Sequence, residues 1–162
     1  MPVIKDRKIC DDIWLHVADG APLPQTGDII VSLTRWREAK AELLARKGQL
    51  GLQLKSDEEP ESLAADLSHF ALIAVEFPKF SDGRGYTTGR LLRERFQFKG
   101  ELRAVGYVLR DQMFYMWRCG FNAFKLPPGK SLDDALTAFD DFSVSYQAAA
   151  DDPRPLFRRI QR

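Results

Sequence analysis

The sequence predicts a single α/β domain built on a mostly parallel sheet, and three observations indicate that fold class. Short apolar runs recur roughly every 20–30 residues, amphipathic segments lie between them, and Gly or Pro residues separate the two. At 162 residues the chain has the length of one domain. About five such βα units fit either an open, doubly wound sheet or a truncated (β/α)-barrel-like arrangement, since a complete eight-unit barrel needs about 250 residues.

The chain begins with a predicted N-terminal β-hairpin. Residues 3–9 form one strand, and residues 13–17 form the other because Ile13, Leu15 and Val17 alternate with polar residues. Asp11 and Asp12 supply the turn between them. Residues 19–27, DGAPLPQTG, are then predicted to form a loop because of their Gly and Pro content.

From residue 28 onwards, predicted strands alternate with predicted helices. The strands are apolar runs at residues 29–33, 50–54, 71–77, 102–108 and 121–126. The helices begin at a capping residue or Pro and end near a Gly: Thr34 to Gly48, Pro60 through Leu67, Thr87 or Thr88 through Phe96, Arg110 to Cys119 before Gly120, and Ser131 through Phe142. Residues 143–147 leave room for one more strand.

The domain is therefore expected to cover residues 1–147, with its βα units in residues 28–147. Residues 148–162 are rich in Pro and Arg and are predicted to form a mobile tail.

Composition argues against several classes of function. The formal net charge of +1 lacks the basic excess of a nucleic-acid-binding protein. No apolar run approaches the roughly 20 residues that cross a bilayer, and the N-terminus lacks the apolar core of a secretory signal, so a cytoplasmic location is expected. The two cysteines and two histidines lack the spacing of a zinc site, and an iron–sulfur cluster needs about four thiolates. Neither a metal site nor a cofactor is expected.

Charged side chains follow the carboxyl ends of the predicted strands, where parallel sheets bind ligands. Cations and carboxylates alternate there, which suits a small anion, although a solvated, salt-bridged rim fits the same residues. Glycines in residues 78–90 precede a helix and let backbone N–H groups approach a phosphate, but a dinucleotide fingerprint would follow its strand directly. The candidate ligand-binding residues are Lys79, Asp82, Arg84, Gly85, Arg90, Arg110, Asp111, Gln112 and Lys125. No catalytic residue is assigned.

Arg84 and Arg110 make the most specific hypothesis. They follow strands that are predicted neighbours, so both guanidinium groups could hold one oxyanion such as sulfite, sulfate or a phosphate group. The competing prediction is that Asp82 and Asp111 neutralise them as structural ion pairs. Gly85, in a Gly-Arg-Gly turn, is expected to adopt positive φ or to lie close to a ligand.

The helix at residues 110–119 carries a stripe of Met and aromatic side chains that fits core packing or the interface of a homo-oligomer.

The longest specific pattern lies in residues 77–124 and contains the block RGY…GRLLRER…GELRAVG.VLRDQ…RCGF. On this block the chain resembles a bacterial family of unknown function whose members are often named "oxidoreductase probably involved in sulfite reduction". The similarity extends more loosely over residues 28–147. The family pattern has an Asp after AVG where this chain has Tyr107, so any role of that Asp would be impaired here.

The resemblance implies a context of assimilatory sulfite reduction. Two cysteines are too few for the sirohaem and iron–sulfur subunit, and the weak glycine pattern disfavours an NADPH reductase. We therefore expect a non-redox partner of a sulfite-assimilation enzyme. The alternative is a small enzyme or anion-binding protein that acts at the charged rim, and the sequence leaves open whether the protein is an enzyme.

Overall fold

The computed structural model describes residues 1–159 and confirms the α/β class. Within these residues the strands are β1 (Pro2–Lys5), β2 (Lys8–Asp11), β3 (Leu15–His16), β4 (Ile29–Ser32), β5 (Leu50–Leu54), β6 (Leu72–Phe77), β7 (Glu101–Gly106) and β8 (Ala123–Phe124). The α-helices are α1 (Leu33–Ala45), α2 (Arg84–Arg90), α3 (Arg110–Arg118), α4 (Leu132–Thr137) and α5 (Leu156–Arg159). Short 3₁₀ turns lie at Pro60–Leu63, Leu67–His69 and Ala138–Asp140, and a π-helical turn at Leu91–Arg95 continues α2.

All eight strands form one mixed sheet in the order β2-β1-β8-β7-β6-β5-β4-β3, which corrects the prediction of a mostly parallel sheet. The strands from β3 to β8 pair in parallel, whereas β1 is antiparallel to both β2 and β8. The mixture arises because the N-terminal hairpin joins the sheet beside β8.

The series of five βα units is also incomplete, because the connection from β5 to β6 contains 3₁₀ turns in place of an α-helix. The strands from β3 to β8 follow one another in chain order, without the reversal that a doubly wound sheet requires.

The chain connectivity forces this sheet to curl. Strands β2 and β3 lie at opposite ends of the strand order, so a flat sheet would separate them by about 33 Å. Only three residues link Asp11 to Leu15, and four Cα steps span at most about 14 Å. The two ends of the sheet must therefore approach each other, and the barrel-like alternative describes the arrangement better than an open sheet.

The two faces of the curled sheet differ in what covers them. Alternate strand residues such as Val31, Ile73 and Ala104 pack with Trp36 of α1 and Met113 of α3 in the main core. The opposite, inner face carries a smaller apolar group: Ile30, Leu72 and Ala74, packed against Trp14 and Val105. Trp14 belongs to the three-residue link, which therefore fills part of the inner face.

The N-terminal hairpin exists, but its strands are β1 and β2 rather than residues 3–9 and 13–17. The turn lies at Asp6 and Arg7, which adopt φ of +48° and +61°. Two residues of positive φ make the kind of turn whose twist suits a two-residue hairpin. The predicted second strand survives only as β3, at the far end of the sheet.

Several predicted boundaries also move. Helix α1 is capped by Ser32, whose Oγ accepts a hydrogen bond from the Arg35 N–H, and not by Thr34. Helix α2 begins at Arg84, three residues before the predicted start. The predicted cap at Ser131 and the stop at Gly120, with φ of +102°, are both confirmed.

Residues 143–147 do not form the additional strand for which the sequence left room. Residues 148–159 of the predicted tail include α5, and the mobility of this tail stays a prediction. Residues 160–162 of that tail lie outside the described residues. Among the residues that are described, no helix has the length and apolar character to cross a membrane.

Candidate functional site

Arg84, one of the two arginines of the anion hypothesis, is held by a carboxylate two positions earlier in the sequence. Its Nε donates to Asp82 Oδ1 at 2.9 Å and its Nη2 to Asp82 Oδ2 at 2.6 Å. Nη2 also lies 2.9 Å from the hydroxyl oxygen of Ser56. The Arg84 guanidinium holds the pKa of the Asp82 carboxyl well below its usual range, so the pair is fully charged near neutral pH.

Arg110 has a different set of partners. Its Nη1 and Nη2 donate to the two carboxylate oxygens of Asp141 at 3.0 and 2.8 Å, and Nη2 also donates to Thr137. Asp111 does not make this pair, because it follows Arg110 directly on α3 and adjacent helical residues point apart. Gln112 closes the start of α3, where its side-chain oxygen accepts from the Leu109 N–H.

The two arginines therefore lie in separate ion pairs, and an anion shared between them would have to displace both carboxylates. Lys79 is exposed beside Asp82, whose backbone N–H donates to the Lys79 carbonyl. The shared anion site stays a prediction.

Gly85 packs against the side chain of Phe77 and does not face open space. It has helical backbone within α2 and is not among the positive-φ glycines of the described residues, which corrects the positive-φ alternative, while a close approach to a ligand stays a prediction. A Cβ on Gly85 would lie 2.7 Å from the Phe77 ring, and one on Gly89 would lie 2.4 Å from the Phe121 ring. These glycines let α2 approach the sheet closely.

Lys125 belongs to a charged group on the inner face that we call the inner cluster: Lys5, Asp12, Glu101, Arg103 and Lys125. Arg103 on β7 is only 2% exposed. Its Nε donates to Glu101 Oε1 at 2.7 Å, and its Nη1 donates to Asp12 Oδ1 at 2.8 Å. Lys5 contacts Glu101 at 2.8 Å and Lys125 donates to Asp12 at 3.3 Å, so positive and negative groups alternate through the cluster.

The inner cluster shifts the titration of its members. Burial disfavours the charged form of Asp12, but Arg103 and Lys125 outweigh that effect and lower the pKa of its carboxyl. The hydrogen bond with Glu101 raises the pKa of Lys5. Each carboxylate of the cluster already has cationic partners. Because Asp12 belongs to the link between β2 and β3, its contacts with Arg103 and Lys125 stabilise the position of that link.

An apolar opening lies between α3 and the C-terminal segment, by which we mean residues 141–159. We call it the aromatic cavity. Its volume is about 450 Å³, and it is lined by Arg90, Phe114, Tyr115, Arg118, Cys119 and residues 142 and 144–149. The rings of Phe114 and Phe142 lie 4.9 Å apart.

Several rim residues of the aromatic cavity are apolar and more than half exposed. They are Tyr115, Phe142, Val144 and Tyr146, with exposed fractions of 56–70%. Large aromatic side chains are uncommon on a surface that contacts only water, and they are enriched at protein interfaces. This surface is thus suited to binding an apolar group.

Cys119 lies at the base of the aromatic cavity as a free thiol and is 2% exposed. Burial raises the pKa of this thiol, and its proximity raises the pKa of Tyr115. The thiol is therefore protonated near neutral pH and is a poor nucleophile there.

Arg118 fastens the C-terminal segment to α3. Its side chain is largely buried, and its Nε lies 3.3 Å from Asp151 Oδ1. Its Nη2 donates to the Gln147 carbonyl, and its own carbonyl accepts from the Ala150 N–H. The wall of the aromatic cavity formed by residues 144–149 depends on these contacts.

Of the nine candidate residues, Arg90 alone lines the aromatic cavity, and Lys125 alone belongs to the inner cluster. Sequence reasoning missed Asp12 and Arg103 because their contact spans 91 positions. It also missed the cavity, because the wall at residues 144–149 has no helix or strand and thus no periodic pattern. The aromatic residues at positions 142 and 146 were the one available signal.

Comparison with family models places residues 51–157, more than half of the chain, in a bacterial family whose description is "Bacterial protein of unknown function (DUF934)". The comparison with curated proteins gives no match, and neither does the comparison with solved structures. The matched range begins within β5 and ends within α5, and it includes both walls of the aromatic cavity. The chain belongs to the bacterial DUF934 family.

Proposed function

We propose that this protein is a non-redox accessory protein of assimilatory sulfite reduction, which acts by binding a protein partner in that process. The sulfite context follows from the resemblance of residues 77–124 to proteins named for it. The binding role is supported mainly by one observation: exposed aromatic side chains surround a cavity of about 450 Å³. Aromatic side chains contribute large contact areas and often dominate the binding energy of interfaces.

The alternative, binding of a small oxyanion at the rim, has less support. Both arginines proposed for it already donate two hydrogen bonds to a carboxylate. An anion would have to displace two carboxylates that each hold an arginine through a pair of charge-assisted hydrogen bonds, and the Asp82 carboxylate is buried as well.

A gene deletion tests the pathway. Cells that lack the protein should grow poorly with sulfate as the sulfur source and normally with cysteine. The double variant Tyr115→Ser, Phe142→Ser should fail to restore growth on sulfate, because it removes two exposed rings of the proposed surface. Phe80→Ser is the matched control, since Phe80 is equally exposed but lies outside the cavity, between β6 and α2.

Direct binding gives a second measurement. The purified protein should co-elute with a sulfite-assimilation enzyme from the same cells, and the double variant should not. Equal growth of the deletion strain on sulfate and cysteine would contradict the proposal.

A further inference from the structure

The walls of the aromatic cavity carry charge of one sign. Its lining combines the rings of Phe114, Tyr115, Phe142 and Tyr146 with the guanidinium groups of Arg90 and Arg118. Among the described residues, no carboxylate lines it. A ligand that fits such a lining has an apolar or aromatic part and a negative charge.

The two arginines differ in their freedom to meet a ligand. Arg118 is largely buried and is held by Asp151 and the Gln147 carbonyl, so it shapes the wall. Arg90 is half-exposed, and its Nε and Nη2 both donate to Glu94 Oε1, at 3.1 and 2.8 Å. Such an exposed pair contributes under about 1 kcal/mol, so a ligand carboxylate can share or replace Glu94. Arg90 is therefore the cation available to a ligand.

The shape of the site favours a polypeptide over an isolated small molecule. A cavity of about 450 Å³ lies within the range of roughly 300–1,000 Å³ that holds drug-sized groups, which is ample for one large side chain. The apolar surface continues outside the cavity, since Phe142, Val144 and Tyr146 are each more than half exposed. An enclosed small ligand would leave those side chains in water, whereas a polypeptide would cover them.

From this geometry we propose that the aromatic cavity receives a large aromatic side chain of the partner protein, and that a carboxylate next to this side chain binds Arg90. The inference rests on the proposed partner-binding function and specifies the chemistry that the partner must present. The aromatic ring packs against Phe114 and Phe142, and the carboxylate accepts hydrogen bonds from the guanidinium at the edge of the cavity.

NMR titration of the full-length ¹⁵N-labelled protein tests the ligand class without the sulfite enzymes. The probe is a capped pentapeptide, Gly-Asp-Trp-Asp-Gly, compared with Gly-Asn-Trp-Asn-Gly and Gly-Asp-Ala-Asp-Gly. The acidic aromatic peptide should shift the amide signals of Tyr115, Ala148 and Ala149 in a saturable way. Each comparison peptide should bind more weakly by about fivefold or more.

Two variants separate the contribution of the Arg90 charge to peptide binding from that of the aromatic wall. Arg90→Gln should remove the preference for Asp over Asn and keep the preference for Trp over Ala. Phe142→Ser should weaken both tryptophan peptides, and its side chain is exposed enough for the fold to survive. Arg95→Gln, in an exposed ion pair with Glu61, is the matched control and should bind as the wild type does.

The proposal is overturned if no saturable shifts occur at millimolar peptide, or if the three peptides bind equally. Tighter binding of indole-3-acetate than of the acidic aromatic peptide would also overturn it and identify a small-molecule site. Normal growth of the deletion strain on sulfate, together with selective peptide binding, would remove the sulfite context and leave the ligand class standing. Poor growth of the deletion strain on sulfate without peptide binding would support the sulfite context and overturn the proposed ligand class.

Discussion

Arg103 on β7 donates a hydrogen bond of 2.8 Å to Asp12, a residue of the link between β2 and β3, and the contact ties this link between the two end strands to a central strand of the sheet. Both side chains are almost fully buried. A buried charge pair seldom adds much stability over an apolar packing, but removing one partner leaves the other charge uncompensated. The contact therefore fixes where the link crosses the inner face.

Replacement of Arg103 by Met is expected to destabilise the protein strongly. The change leaves the Asp12 and Glu101 carboxylates buried, with only Lys5 and Lys125 to compensate them. We expect a loss of about 3–5 kcal/mol in the free energy of unfolding, measured by urea denaturation. Arg95→Met, which breaks an exposed ion pair, should cost under about 1 kcal/mol. Equal losses in the two variants would contradict this account of the inner cluster.

Acid should lower the stability of the wild-type protein partly because it protonates the Asp12 carboxylate. Its carboxyl has a pKa below the unfolded value of about 3.9, because Arg103 and Lys125 outweigh the effect of burial. The stabilisation is thus present above pH 3.9 and is lost as the pH falls through the folded-state pKa. Between pH 5 and pH 2.5, Asp12→Asn should lose less stability than the wild type. Asp11→Asn, on the exposed edge strand, is the control and should follow the wild-type slope.

Gly85→Ala is expected to destabilise the protein through packing. Alanine favours a helix over glycine by about 1 kcal/mol, but its Cβ would lie 2.7 Å from the Phe77 ring. That ring is held between the rings of Tyr86 and Phe121, so it cannot move aside cheaply. We expect a net loss of about 1–3 kcal/mol and a lower melting temperature. Gly83→Ala should be tolerated, since its nearest neighbour is 3.7 Å away.

Local signals predicted the parts of the fold that depend on neighbouring residues. The Ser131 cap and the Gly120 stop involve atoms within a few positions, and both could be read from the sequence. The hairpin register could not, because its turn uses Asp6 and Arg7 with positive φ and carries no Gly signal.

The candidate site was harder to predict than the fold. Arg110 pairs with Asp141 rather than with its neighbour Asp111, since helical geometry turns adjacent side chains apart. Arg103 occupies a strand that was predicted from an apolar run, and nothing nearby in the sequence indicates that its partner is Asp12. Contacts of this length depend on how the whole sheet curls, which a single sequence does not encode locally.

Titration with oxyanions tests whether Arg84, at the charged rim of the sheet, binds an anion. Because Asp82 already occupies two donors of Arg84, sulfite and phosphate should give no heat that depends on this arginine. Isothermal calorimetry at millimolar anion should therefore give the same result for the wild type and for Arg84→Ala. Saturable binding that is lost in Arg84→Ala would restore the shared anion site with Arg110.

The reaction rate of the Cys119 thiol tests whether the C-terminal segment opens away from α3. In a Cys10→Ser background, the remaining thiol should react slowly with a disulfide reagent near neutral pH, because it is buried and burial raises its pKa. Asp151→Asn removes the carboxylate that pairs with Arg118 and should speed the reaction by roughly fivefold or more through local opening. Asp152→Asn is the matched control, since Asp152 pairs with Arg154 and Arg159 inside the same segment and not with α3. Equal rates in the two variants would mean that Arg118 and Asp151 do not control access to the aromatic cavity.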